Sequence, residues 1–119
     1  MKALFDKVSY QCSKLVTESY STSFSLATRM LSNEIRQDIY NIYGFVRFAD
    51  EIVDSFHSYN KPVLFERFQE ALDNALIDKI SLNPILNSFQ ETVHKYDINR
   101  EYIDAFMKSM RWDLSKKIY

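Results

Sequence analysis

Apolar side chains recur at three- and four-residue intervals along almost the whole chain, and no stretch of useful length alternates apolar and polar residues. This periodicity is typical of amphipathic α-helices and argues against strands. The chain contains only one glycine and two prolines, too few for the many tight turns of a β-sandwich or barrel. We therefore predict an all-α fold, a helical bundle with at most one domain over residues 1–119.

Breaks in the periodicity predict where the first helices begin and end. One helix is predicted over residues 2–16, followed by a loop over the hydroxyl-rich run at residues 18–25 and a short helix ending near Leu31. Serine and threonine favour caps and turns over helix interiors, which is the reason for predicting the loop. Cys12 is expected to be a small core residue. The apolar residues of the first helix at helical spacing are Leu4, Val8, Cys12 and Leu15.

Four more helices begin at recognisable signals, such as a capping serine or asparagine, or a proline at the first helical position. The predicted ranges are 32 to about 55, 62 to about 80, 84 to about 95 and 99 to 119.

Charge and cysteine content limit the cellular setting. The formal net charge is -1, which gives no reason to expect a nucleic-acid partner. The single cysteine cannot form an internal disulfide, so the chain fits a reducing compartment. No stretch resembles a signal peptide or reaches the roughly 20 apolar residues needed to cross a bilayer. A cytoplasmic protein is expected.

The predicted helix at residues 32–55 gathers charged and aromatic side chains on one face. At about 100° per residue, six of them fall in a wedge roughly 80° wide. They are Arg36, Tyr40, Tyr43, Arg47, Asp50 and Asp54. Two carboxylates one turn apart repel each other. A divalent cation that bridges both acids to an anionic ligand would remove this repulsion, and Mg²⁺ prefers carboxylate and phosphate oxygens.

A purely structural interpretation of Asp50 and Asp54 stays open at this point. The spacing D-x-x-x-D is common by chance, and the two acids could be solvated or neutralised by the arginines of the same face. Arginine, however, is the better bidentate partner for phosphate. Apolar residues also flank this wedge on both sides, which predicts that the charged face lines a cavity.

Three segments together carry a resemblance to a known family. YGFVRFADEIVD at residues 43–54 resembles the first aspartate-rich motif of the squalene/phytoene synthase family, the head-to-head prenyl transferases. YSTSFSLA at residues 20–27 is similar to the family's S-x-S-F-x-x-A segment. MRWDL at residues 110–114, followed by Tyr119, resembles its M-x-x-D-L…Y stretch. The resemblance spans nearly the whole chain.

This resemblance implies a fold, a reaction and a set of site residues. Members have the isoprenoid synthase fold, in which two aspartate-rich helices face each other, and they join two prenyl diphosphates through a cyclopropyl diphosphate with Mg²⁺. Asp50 and Asp54 would be metal ligands and, with Arg47 and Tyr43, catalytic; Mn²⁺ is an acceptable substitute for Mg²⁺. The substrate-binding candidates are Ser21, Ser23, Phe24, Arg36, Tyr40, Asp113 and Tyr119.

One departure from the family pattern affects the expected activity. No second D-x-x-x-D follows Asp54, so the chain is interpreted as the N-terminal part of such a domain and is expected to be inactive alone. The alternative is a non-catalytic helical module that binds a partner or lipid. Phytoene-type chemistry is preferred over squalene formation, which needs NADPH, because no G-x-G-x-x-G motif is present. Oligomerisation through exposed apolar surface and peripheral membrane contact for product release are further expectations.

Overall fold

The computed structural model describes residues 1–118, which contain six α-helices and no strand. The predicted all-α fold is thereby confirmed. The helices are α1 Lys2–Tyr20, α2 Thr22–Thr28, α3 Asn33–Asp54, α4 Lys61–Asp78, α5 Pro84–Tyr96 and α6 Arg100–Ile118. Within the described chain, no helix is long and apolar enough to cross a membrane.

The loop predicted over residues 18–25 is wrong. Helix α1 continues to Tyr20 and α2 begins at Thr22, so that only Ser21 has extended backbone, with φ −146° and ψ 95°. Hydroxyl groups on either side of this run bond to the carbonyl one turn earlier, inside the helices. Thr17 Oγ1 donates to the Ser13 carbonyl at 2.9 Å, and Thr28 Oγ1 donates to the Phe24 carbonyl at 2.7 Å. The predicted boundaries of α3 to α6 agree with the structure to within about two residues.

Helix α1 buries its hydroxyl face and exposes its apolar one. Ser9, Ser13 and Thr17 are fully buried, whereas Leu4 and Leu15 are 55% and 63% exposed. The expectation that Cys12 is a core residue is met only in part, because this side chain is half-buried. The neighbours of α1 explain this orientation. Small residues allow a close approach to α3, where a Cβ on Gly44 would lie 3.4 Å from Ser13 Oγ.

A stack of aromatic rings fixes α3 at the centre of the bundle. Phe45 is 2% exposed. Its ring centroid lies 4.0 Å from that of Phe89 on α5, 5.8 Å from that of Phe68 on α4 and 5.5 Å from that of Phe106 on α6. Four helices therefore meet at one residue. The opposite side of α3, which carries the aspartates, is left to face α1, α2 and the end of α6.

Helix α4 ends on a residue whose backbone conformation suits glycine. Lys79 has φ 59° and ψ 30°, and its N–H donates to the Ala75 carbonyl at 3.0 Å. The left-handed conformation costs an L-residue roughly 1–2 kcal/mol, whereas glycine adopts it freely. We expect Lys79→Gly to raise the free energy of unfolding by about 0.5–1 kcal/mol in urea denaturation. Lys108→Gly, inside α6, is the control and should lower it; equal losses in both variants would contradict the expectation.

Candidate active site

The aspartates of α3 lie on a face bordered by three other helices. We call Tyr43, Arg47, Asp50 and Asp54 the acidic face. On one side, the Phe24 ring from α2 stacks on Tyr43 with centroids 4.9 Å apart. On the other side, Lys117 from α6 forms an ion pair with Asp54. The predicted metal ligands and catalytic residues are thus neighbours, and Phe24 joins them.

Arg47 is held in place from two directions. Its Nη2 donates to Glu51 Oε2 at 2.8 Å, and its guanidinium carbon lies 4.9 Å from the centre of the Tyr20 ring. Its Nη1 is 3.9 Å from Asp50 Oδ2, which is a long ion pair. Its buried Nε has no hydrogen-bond partner among the described residues. The guanidinium is therefore oriented, and its Nη1, which is too far from Asp50 for a hydrogen bond, remains a donor for an anion.

The two aspartates have different electrostatic surroundings. Hydrogen bonding to Lys117 lowers the pKa of Asp54 below its ordinary value of 3.8. Burial, and then the charge of Asp54, raise the pKa of Asp50 above that value. Asp113 of α6 adds to the repulsion on Asp50, so this acid also approaches the acidic face. The negative charge on Asp50 is the one that its neighbours leave insufficiently compensated.

Both carboxylates are reachable from solvent. The side chains of Asp50 and Asp54 are 36% and 45% exposed. The described residues contain no group of three or more His, Cys, Asp or Glu side chains that could hold a metal ion. The acidic face thus offers two carboxylates, a number that suits a Mg²⁺ ion completing its shell with substrate phosphates and water. That these acids line an enclosed cavity stays a prediction.

Two candidates from the same stripe make other contacts. Arg36 Nη2 donates to the carbonyls of Arg29 and Leu31 at 2.9 and 3.0 Å, which ties the connection between α2 and α3 to the start of α3. Tyr40 is 2% exposed, and its hydroxyl has no hydrogen-bond partner among the described residues. The Arg36 side chain is bonded to backbone carbonyls and the Tyr40 side chain is buried, so neither is open to a ligand at the acidic face. Their substrate-binding roles stay predictions.

The two serine candidates differ in their contacts: Ser21 caps a helix, whereas Ser23 is exposed. Ser21 Oγ accepts a hydrogen bond from the Phe24 N–H at 3.1 Å, which caps α2. Ser23 is exposed. Capping fixes the start of α2 and thereby the Phe24 ring over Tyr43. The remaining candidate, Tyr119, lies outside the described residues.

Comparison with known proteins places this geometry in a family. The family model described as squalene/phytoene synthase matches residues 17–119. The chain belongs to this family. It is 26% identical over 110 residues to phytoene synthase 1, chloroplastic, of Solanum lycopersicum, covering 92% of the chain and 26% of that protein. It is 30% identical over 97 residues to presqualene diphosphate synthase of Rhodopseudomonas palustris, covering 82% of the chain and 34% of that protein.

The chain is short beside these members of the squalene/phytoene synthase family. It spans about a quarter to a third of the length of the curated relatives that it matches. The match nevertheless includes every candidate site residue, from Ser21 to Tyr119. The resemblance seen in the three sequence segments is confirmed at the level of the family.

Sequence reasoning gave little weight to three residues of this site. Tyr20 lies within the YSTSFSLA segment, but nothing in that segment predicts that its ring contacts the Arg47 guanidinium. Glu51 borders the helical wedge, and its bond to Arg47 is visible as an i, i+4 spacing. Lys117 is 63 residues from Asp54 in the sequence, and only the packing of α6 on α3 brings the two together.

The unequal surroundings of the two aspartates predict opposite effects on stability. Because the folded-state pKa of Asp50 is raised, its ionisation destabilises the fold above that pKa and is relieved as pH falls through it. Because the folded-state pKa of Asp54 is lowered, its ionised carboxylate stabilises the fold above pH 3.8. This stabilisation is lost as the pH falls through the folded-state pKa. We expect Asp50→Asn to stabilise the fold at pH 7 and Asp54→Asn to destabilise it by no more than about 1 kcal/mol, since this pair is exposed. Urea denaturation of both variants measures this; the same sign for both would contradict it.

Proposed function

We propose that this chain supplies the first diphosphate-binding helix of a head-to-head prenyl transferase of isoprenoid biosynthesis, of the phytoene synthase type. One observation carries the proposal: the acidic face and the ring of Phe24 come together within a chain that the family model matches over residues 17–119. The substrate would be a prenyl diphosphate.

The acidic face has the donor chemistry for Mg²⁺. Asp50 and Asp54 would hold the ion, and the insufficiently compensated charge of Asp50 is the feature of this structure that a cation would satisfy. When bound, Mg²⁺ neutralises charge that develops on a departing diphosphate. We expect Mn²⁺ to substitute, because carboxylate, phosphate and water oxygens suit both ions.

The chain's own side chains would bind and orient the substrate. Arg47, fixed by Glu51 and Tyr20, would donate to a diphosphate oxygen. The stacked rings of Phe24 and Tyr43 lie beside it and would contact the first carbons of the prenyl chain. Lys117 is the resident counter-charge of Asp54, so a metal ion would have to displace or share this contact.

Metal binding by the 119-residue chain tests this proposal directly. We expect the purified chain to bind Mn²⁺ in the presence of inorganic pyrophosphate, as measured by water-proton relaxation. Asp50→Asn or Asp54→Asn should abolish the effect. Asp104→Asn, an exposed acid on α6, is the matched control and should leave it unchanged. Equal Mn²⁺ binding by all four proteins would overturn the assignment of the metal ligands.

We expect no turnover by the chain alone. One pair of carboxylates would have to act without the opposed pair that the family resemblance implies. Incubation with geranylgeranyl or farnesyl diphosphate and Mg²⁺ should give no coupled product. Product that either aspartate variant abolishes would overturn the expected inactivity and support the site.

The second candidate function is a non-catalytic helical module. The exposed apolar face of α1 favours it, since Leu4, Val8 and Leu15 are 46–63% exposed. Self-association in light scattering, or sedimentation with liposomes, that Leu15→Lys removes would support it. Oligomerisation, peripheral membrane contact and a cytoplasmic location remain proposals; the matched plant relatives carry names that place them in chloroplasts.

A further inference from the structure

A concave groove lies between α3 and α4, on the side of α3 that carries Phe48 and Ile52. It is a cavity of about 500 Å³ that opens to solvent. Its walls are mostly apolar, and this volume falls within the range of small-molecule sites. The apolar wall residues are Phe48, Ile52, Phe56, Leu64, Phe68 and Ala71.

Arg67 and Asn83 place hydrogen-bond donors at the edge of these apolar walls. Arg67 is exposed and forms no ion pair among the described residues. Asn83 Oδ1 accepts from the N–H groups of Ile85 and Leu86 at 3.0 and 3.3 Å. Its oxygen is therefore committed to capping α5, and its NH₂ group remains a free donor. The guanidinium and this amide together suit an anionic group.

Among the described residues that line the cavity, Glu51 is the one acid, and it is already paired. Glu51 accepts from Arg47 at 2.8 Å, on the acidic face. Its negative charge still favours a ligand of low charge: a singly charged carboxylate would be repelled less than a diphosphate. With Glu51 paired to Arg47, the single positive charge of Arg67 favours a ligand that carries one negative charge.

The residue that follows the C-cap of α3 forms part of the same cavity wall. Phe56 has φ 55°, in the left-handed region that bulky residues rarely adopt. The ring forms part of the cavity wall and packs edge-on against Tyr59, with centroids 6.3 Å apart. This conformation ends α3, as that of Lys79 ends α4, and it places Phe56 in the cavity wall.

We propose that this cavity binds the hydrocarbon chain of a long-chain fatty carboxylate, with Arg67 and Asn83 at the carboxylate. The cavity walls contact the methylene groups, whose transfer from water supplies the affinity. This site adjoins the acidic face, because Tyr20 and Glu51 line the cavity and also contact Arg47. Binding of the carboxylate does not depend on prenyl transfer. It gives the chain a lipid-binding activity of its own.

Isothermal titration of the 119-residue chain with sodium oleate, kept below its micelle concentration, tests this proposal. We expect one oleate per chain. Ala71→Phe should fill the cavity, abolish binding and leave the melting temperature equal or higher. Ala105→Phe makes the same change on the exposed side of α6 and should bind oleate normally. Arg67 is exposed, so Arg67→Gln should leave the fold intact. It should weaken oleate binding about fivefold, a factor appropriate to an exposed charge pair.

Three results would overturn the proposal. They are no binding to the wild-type chain, equal binding by the Ala71→Phe and Ala105→Phe variants, and tighter binding of farnesyl diphosphate than of oleate with the same sensitivity to Ala71→Phe. The last would identify a diphosphate ligand instead of a carboxylate. Because the Mn²⁺ experiment uses different residues, failure here leaves the proposed function of the acidic face unaffected.

Discussion

Replacing Asp50 or Asp54 with asparagine, in a polypeptide that also carries the family's second aspartate-rich motif, is expected to lower kcat about a thousandfold. Asparagine keeps the size of the side chain but removes the charge that would hold a metal ion at the departing diphosphate. That interaction contributes several kcal/mol in the transition state, and each 1.36 kcal/mol corresponds to a factor of ten in rate. Steady-state assays of product formation from radiolabelled prenyl diphosphate measure the loss.

Two controls separate this loss from misfolding. Asp104→Asn alters an acid that pairs with Arg100 on α6, away from the acidic face, and should retain full activity. The stability of Asp50→Asn should be equal to or above that of the wild type, because the pKa of Asp50 is raised in the folded chain. Activity within a few-fold of the wild type in both aspartate variants would contradict the catalytic role.

Replacing Phe45 with alanine is expected to lower the free energy of unfolding by about 3–5 kcal/mol. The side chain is 2% exposed, and its ring meets aromatic rings from α4, α5 and α6. Removing it leaves a void that the rigid rings around it cannot close. Such a loss is a large share of the roughly 5–15 kcal/mol that stabilises a typical domain.

Urea denaturation followed by circular dichroism measures this effect. Phe24→Ala is the matched control, because that ring is 38% exposed and contacts mainly Tyr43. We expect the control to cost less than about 1.5 kcal/mol. Similar losses in the two variants would show that the centre of the bundle is not where the structure places it.

The local features of this fold were predictable from sequence, whereas several of its contacts were not. Helices α3 to α6 follow from periodicity and capping signals, since both are properties of short segments. The continuation of α1 through residues 18–20 does not follow from composition, because residues that favour turns can also lie inside a helix.

Tertiary packing also decides which surface of α1 is buried. Periodicity identifies the apolar face of α1. It cannot show that the polar face, with its small hydroxyl residues, packs against Gly44 of α3. In the same way, the motif identifies Asp50 and Asp54, but Lys117 approaches Asp54 only once α6 has folded back on α3. Arg36 fits the motif's spacing, yet the structure engages it with the carbonyls of Arg29 and Leu31.

The ring of Tyr20 borders two sites of the molecule. It lies against the Arg47 guanidinium, and it also lines the cavity between α3 and α4. If a ligand in that cavity displaces the ring, the affinity of Arg47 for an anion changes, and thermodynamic reciprocity requires the anion to change the ligand's affinity by the same factor. The last residue of α1 would then couple a lipid signal to the acidic face without any movement of the aspartates.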